Sequence, residues 1–275
     1  MNRLFCALLV ILAMSTVSCS SSGSSNTDAK NLLKQPESAV RTPDDKGWLV
    51  SNKGDGKIIL LPDTGKPSVW ASDSKSIRGL TIVGSKLYGA TDDGIAVWNL
   101  SDHKLLSIIR QERMQFLNDI VADNEGNIYA SDTSANIIFK MAVTDGKVSV
   151  FAEEGIDSPN GMICDGNRLL LVSFRAHSPI QAIDLRSGKV STVRETALNE
   201  LDGFTVENSG KWLISSWVTG KVYRIDPMSK EDPEEIAGKL LGPADIALNA
   251  TGTKLAIPEM NADRVKIVDL PVSPR

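Results

Sequence analysis

A short signature returns every forty-odd residues along this chain, six times in all. Its members are Glu37-Ser38-Ala39-Val40, Arg78-Gly79-Leu80-Thr81, Asn118-Asp119-Ile120-Val121, Asn160-Gly161-Met162-Ile163, Asp202-Gly203-Phe204-Thr205 and Ala244-Asp245-Ile246-Ala247. The intervals between the leading positions are 41, 40, 42, 42 and 42 residues. A turn follows each signature, as in Asp123-Asn124-Glu125-Gly126-Asn127, Cys164-Asp165-Gly166-Asn167 and Glu207-Asn208-Ser209-Gly210-Lys211. Asp, Asn and Gly tolerate the positive φ of a tight hairpin, so each turn joins two antiparallel strands.

Short apolar runs fill the space between turns. In the fifth repeat, strands are expected over 203–207, 212–217, 221–226 and 235–239. Four short strands per repeat are the pattern of a β-propeller blade, so the fold class is all-β, a six-bladed β-propeller. Residues 104–114 admit a helical reading, but their place in the repeat favours an outer strand followed by a loop. The sixth repeat holds only three strands. The segment 29–35 precedes the first signature without a repeat of its own, and can close the last blade as an N-terminal strand.

The first residues read as an export signal. Arg3 is followed by an apolar run over 4–14, too short to span a bilayer, then by small residues and Cys19. The expected division is a lipoprotein-type signal over 1–18, a Ser-rich tether over 19–28 and a propeller over 29–275. Cys19 is the expected lipidation site, which would hold a monomeric domain at a bacterial cell envelope, periplasmic or surface-exposed. Cleavage without lipid is the alternative. The chain carries 30 Lys+Arg against 34 Asp+Glu, a balance that argues against a nucleic-acid partner. Three cysteines are too few for a disulfide framework, and two histidines leave little room for His-built zinc chemistry.

In a propeller the innermost strands begin at the mouth of the central channel. The leading residues Glu37, Arg78, Asn118, Asn160, Asp202 and Ala244 should therefore converge. Two carboxylates and two amides in one ring can form an oxygen cage for a divalent cation, Ca²⁺ first and Mg²⁺ or Mn²⁺ next. The competing arrangement has Arg78 bridging Glu37 and Asp202, with no metal.

With these residues in place, the chain resembles the senescence marker protein/gluconolactonase (regucalcin-like) family, related in architecture to paraoxonases. The resemblance covers about residues 29–275. It implies that Glu37, Asn160 and Asp202 bind the metal and that Asn118 lies near both metal and substrate. The implied activity is divalent-metal-dependent hydrolysis of a lactone or related ester. Asp202 would then accept a proton from water, and Arg78 would steady a developing oxyanion or hold an anionic substrate group. One departure stands out. Sugar-lactone members of the family carry Arg two residues before the third-blade Asn, and here that position is Phe116, which points to a more apolar substrate.

Loops on the same face add Arg175, His177 and Glu259 as expected substrate contacts, with Lys53, Asp92, Asp132 and Trp217 beside them. Trp48, Trp70, Trp98 and Trp212 fall on strands and should pack. A non-catalytic propeller that binds a protein, peptide or glycan is the second reading, because fold alone does not choose function.

Overall fold

Every repeat folds as an antiparallel sheet whose strands pair in chain order. The computed structural model describes residues 32–142 and 144–271, and these form five four-stranded sheets and one three-stranded sheet. The signal and tether, Cys19 among them, lie outside the described residues. In the fifth blade the strands are Leu201–Val206, Trp212–Ser216, Lys221–Ile225 and Glu234–Ala237, within two residues of the expected spans. The segment 104–114 holds the outer strand Leu105–Ile109 and a loop, not a helix. A single turn of 3-10 helix, Met260–Ala262, is the one helical element among the described residues.

Apolar residues on both faces of each sheet pack against the next blade. Six buried clusters result, one at each blade–blade interface. Tyr88, Val97, Ile120 and Phe139 join the second and third blades, for example. Each such side chain, once buried, stabilises by about 1.5–3 kcal/mol, so these clusters hold the ring. Trp48, Trp70, Trp98 and Trp212 are all buried in them.

Ring closure departs from the expectation of an added strand. Residues 29–31 lie outside the described part, and Leu32 to Gln35 make no strand; the sixth sheet keeps its three strands. The segment serves instead as a plug between the last blade and the first. Leu33 is buried against Trp48, Val50, Ala256 and Val265. The backbone of Lys34 and Gln35 accepts from Gly54 N and Lys53 N (3.0 Å each), while Gln35 N donates to Asp263 Oδ1 of the last blade (2.7 Å). These bonds tie the segment to loops of the first and last blades.

The innermost strands share one irregularity that positions the site. In the first five blades, two residues of the innermost strand face one residue of the second strand. Glu37-Ser38 face Ser51, Arg78-Gly79 face Ala90, Asn118-Asp119 face Ser131, Asn160-Gly161 face Val172 and Asp202-Gly203 face Ser215. These are β-bulges, which break the alternation of side chains and re-aim them. The re-aimed residue is the leading one of each signature. A bulge leaves a backbone N–H without its ladder partner, and three serines take its place. Ser38 N donates to Ser51 Oγ (2.9 Å), Asp119 N to Ser131 Oγ (3.0 Å) and Gly203 N to Ser215 Oγ (2.7 Å). Glycine follows the leading residue where blades meet closely. A Cβ on Gly161 would lie 2.0 Å from Asp202 O, and one on Gly203 2.5 Å from Ile246 N.

Candidate functional site

The bulges aim Glu37, Arg78, Asn118, Asn160 and Asp202 at the channel mouth, where all five are buried. With Phe116 they line a single cavity of about 210 Å³. Lys53, Thr133, Phe174, Trp217 and Met260 complete its wall. Ala244, the sixth leading residue, is buried and does not line it.

The second set of lining residues has its own repeat logic. The second strands end at Asn52, Thr91, Asp132, Ser173, Ser216 and Glu259. The residues that follow are Lys53, Asp92, Thr133, Phe174, Trp217 and Met260, and all of them but Asp92 line the cavity, so its rim is one repeat phase read five times. Of these positions Lys53, Asp92 and Trp217 stand out in the sequence, while Thr133, Phe174 and Met260 do not. The shared phase is the signal that finds them.

The strand-end residues just before are buried polar pins. Asp132 accepts from Gln115 N (2.7 Å) and Phe116 N (3.0 Å), which sets the Phe116 ring. Thr91 Oγ1 donates to Gly94 O (2.7 Å) and Ser216 Oγ to Asn199 O (2.6 Å). Glu259 is the pin of the sixth blade. Its Oε2 accepts from Leu241 N (2.9 Å) and Arg264 Nη2 (2.8 Å), and its Oε1 from Arg264 Nε (2.7 Å). The side chain is fully committed to fold and does not reach the cavity. Arg175 and His177 also lie elsewhere. Arg175 pairs with Asp157 at the surface (2.7 Å), and His177 is exposed on a left-handed turn that Asn199 holds through the His177 N–H.

Polar atoms of the ring are left without partners. Glu37 Oε2, Asp202 Oδ1, Asn160 Nδ2 and two nitrogens of Arg78, Nε and Nη1, are buried and make no regular hydrogen bond. Asn118 donates its Nδ2 to Thr133 Oγ1 (3.1 Å), which turns its oxygen away from that contact. Arg78 stacks 3.9 Å over the Phe116 ring and pairs through Nη2 with Asp92. It makes no ion pair with Glu37 or Asp202, so the metal-free bridge is not formed.

Burial pushes the Asp202 carboxyl up to about 7, with Asp119 adding to the rise and the Asn160 amide and Lys53 opposing it. Glu37 is raised well above the usual carboxylate range by burial first, then by Asp202 and Asp245, with Arg78 pulling the other way. Two carboxylates that resist ionisation in the absence of a counter-charge are a place where a cation is welcome. Among the described residues no three His, Cys, Asp or Glu side chains converge; the donor set is two carboxylates with amide oxygens. The unpartnered oxygens of Glu37 and Asp202 fit a hard divalent cation.

Comparison with known proteins follows the same frame. Residues 36–248 match the family described as SMP-30/Gluconolactonase/LRE-like region. No curated protein matches the chain in sequence. Among solved structures, a gluconolactonase from Xanthomonas campestris superposes with a TM-score of 0.75 at 14% identity, over 87% of this chain and 87% of its own. A chain of a nidogen/laminin complex gives 0.72 at 19% identity, over 82% of this chain and 89% of its own. Virginiamycin B lyase from Staphylococcus aureus gives 0.62 at 15% identity, over 86% and 85%. At such identities the likeness shows the propeller alone, which carries several unlike tasks.

Proposed function

This chain belongs to the SMP-30/gluconolactonase/LRE-like family, and from that premise we propose that it is a divalent-cation-dependent hydrolase that opens a lactone or cleaves a related ester at the channel mouth. The observation that carries the reading is two buried carboxylate oxygens, Glu37 Oε2 and Asp202 Oδ1, without hydrogen-bond partners on residues that line one cavity. A buried acceptor left unsatisfied costs about 1–3 kcal/mol, more when it is charged, and a cation removes that cost.

Glu37, Asp202, Asn160 and Asn118 would hold the cation, with Ca²⁺ the best match to an all-oxygen donor set and Mg²⁺ or Mn²⁺ next. When bound, such an ion polarises an ester carbonyl and eases the deprotonation of water. Asp202 would receive the proton released by the attacking water. Arg78 offers Nε–H and Nη1–H donors to the substrate, fixed in place by Phe116 and Asp92. Phe116, Phe174, Trp217 and Met260 exclude water and favour an apolar substituent. The same reading places the domain, as a monomer, at a bacterial cell envelope through lipid on Cys19; labelling with an alkyne fatty acid should mark the wild type and spare Cys19→Ser.

The test is metal-dependent stability and turnover on the purified domain. Ca²⁺ should raise the melting temperature, a chelator should reverse it, and a panel of simple γ- and δ-lactones should include one that is hydrolysed only with the ion. No thermal shift at millimolar Ca²⁺ and no turnover would overturn the reading and leave a propeller that binds without catalysis.

A further inference from the structure

Arg78 is only 2% exposed, yet two of its nitrogens have no partner. Its third nitrogen is held by Asp92, which is itself 54% exposed, and its face rests on Phe116. The guanidinium is therefore fixed in orientation, with unused donors in a buried place. Such donors are costly to leave unmade, and a planar anion satisfies them best. Lys53 lines the same cavity from the first blade; its backbone N–H donates to Gln35 O, while its ammonium makes no hydrogen bond or ion pair.

The charges sharpen this. The ionisable residues of the cavity wall are Glu37, Asp202, Lys53 and Arg78. Glu37 and Asp202 would hold a divalent cation, and Arg78 and Lys53 would then be the charged side chains of the wall left for a ligand. Asp92 offsets Arg78 only in part, from its solvent-exposed side. A neutral substrate would leave that excess standing in a confined, poorly hydrated space, where uncompensated charge is expensive. Two cations on different blades face the same cavity.

We propose that Arg78 and Lys53 form an anion subsite, so that the substrate is a small lactone or ester carrying a carboxylate, with its apolar remainder against Phe174, Trp217 and Met260. This rests on the hydrolase reading for the word lactone, and on the cavity alone for the word carboxylate. The cavity volume of about 210 Å³ lies below the roughly 300 Å³ at which pockets begin to hold drug-sized ligands, so a single small ring fits best.

The experiment compares γ-carboxy-γ-butyrolactone with its neutral carboxamide, and adds tetrahydrofuroate, which has the carboxylate and the ring but no scissile bond. In the wild type, kcat/KM should favour the carboxylate over the carboxamide by about tenfold or more, which is about 1.4 kcal/mol, mainly through KM. Arg78→Met should bring that ratio to near one, Lys53→Met should lower it several-fold, and Arg78→Lys should restore part of it. Calorimetry should show tetrahydrofuroate binding to the wild type, tightened by Ca²⁺ and lost in Arg78→Met. Circular dichroism reports whether Arg78→Met folds; the half-buried Lys53 supplies the second variant if it does not. A ratio of one in the wild type overturns the subsite and leaves the hydrolase reading intact. So does an Arg78→Met loss that is equal for both lactones, because Arg78 would then serve the reacting carbonyl alone. If no lactone is turned over but tetrahydrofuroate binds through Arg78, the subsite stands and the hydrolase reading falls. If tetrahydrofuroate does not bind either, the subsite falls with it.

Discussion

Two rings of residues line the axis of this propeller, one step apart in the chain. The upper ring holds the leading residues Glu37, Arg78, Asn118, Asn160 and Asp202. The lower ring holds their successors Ser38, Gly79, Asp119, Gly161 and Gly203, joined by Asp245 from the sixth blade. Both rings are largely buried, and both contain carboxylates. They differ in what those groups do. Asp119 accepts from Ile120 N and Met162 N at 2.6 Å each, and so ties the third blade to the fourth. Ser38 Oγ donates to Asp245 Oδ2 (2.6 Å) and accepts from Leu80 N (3.2 Å), which ties the sixth, first and second blades together. No side-chain atom of the lower ring is orphaned, while the upper ring leaves five. Neighbours on one strand thus divide the labour: the lower ring spends its polar atoms on the fold, and the upper ring leaves five of its own unspent, as the proposed ligand site requires.

The sharpest way to break this division is to remove one carboxylate from each ring. Asp202→Ala should lower lactone turnover by about a thousandfold or more, since on the proposed mechanism it removes both a cation ligand and the proton acceptor. Its metal-free melting temperature at pH 8 should be unchanged or higher, because a buried, unpaired carboxylate has gone. Asp119→Ala should do the reverse. It strands two buried N–H groups and should cost roughly 3 kcal/mol of stability in a denaturant titration. If Asp202→Ala proves the more destabilising of the two without metal, the contrast between the rings is wrong.

Much of the fold could be read from the chain because a propeller repeats its instructions. The turn at Glu207-Asn208-Ser209-Gly210-Lys211 and the apolar runs around it placed four strands within two residues. The leading positions were legible for the same reason. The bulge was not, because Asn160-Gly161 looks like any turn-forming dipeptide until its register against Val172 is seen. Nor were the pins. Asp132 and Glu259 have the residue types expected of a substrate contact, and only the bonds to Phe116 N and Leu241 N show that they hold the backbone. The rim residues Thr133, Phe174 and Met260 share a phase but no chemistry, so a search by residue type passes over them. A gap in a repeat invites a strand, but among the described residues of the segment none is in a strand, and Leu33 packs against Trp48 and Val265 between the first and last blades.

A smaller effect tests the electrostatic side of the comparison. Burial raises Asp202 to about 7 and Asp119 to about 6, and raises Glu37 as well. These groups hold their protons more tightly folded than unfolded, so their contribution to stability is greatest below about pH 4. It declines as pH rises through about 7. The metal-free protein should therefore be measurably less stable at pH 8 than at pH 5. Ca²⁺ should flatten that slope by rewarding the ionised upper ring, and Asp202→Ala should flatten it without the ion. A metal-free stability that rises over this window would mean that the channel carboxylates are already paired.

The finest test lies in the serines that back the bulges. Ser215 Oγ accepts from Gly203 N (2.7 Å) and donates to Ala244 O (2.8 Å), so one hydroxyl links the bulge under Asp202 to the sixth blade. Ser131 makes only the bond to Asp119 N. In the second and fourth blades Ala90 and Val172 occupy the same place, which shows that a bulge forms without the hydroxyl. Ser215→Ala should then cost only about 1–2 kcal/mol, and Ser131→Ala about 1 kcal/mol, as single buried hydrogen bonds do. Their effects on turnover should not follow that order of stability alone. In the proposed mechanism the Ser215 bulge carries the proton acceptor and the Ser131 bulge an amide ligand, so Ser215→Ala should lower kcat several-fold with KM little changed. Equal kinetic losses in the two variants would mean that the bulge merely supports the ring and does not aim Asp202.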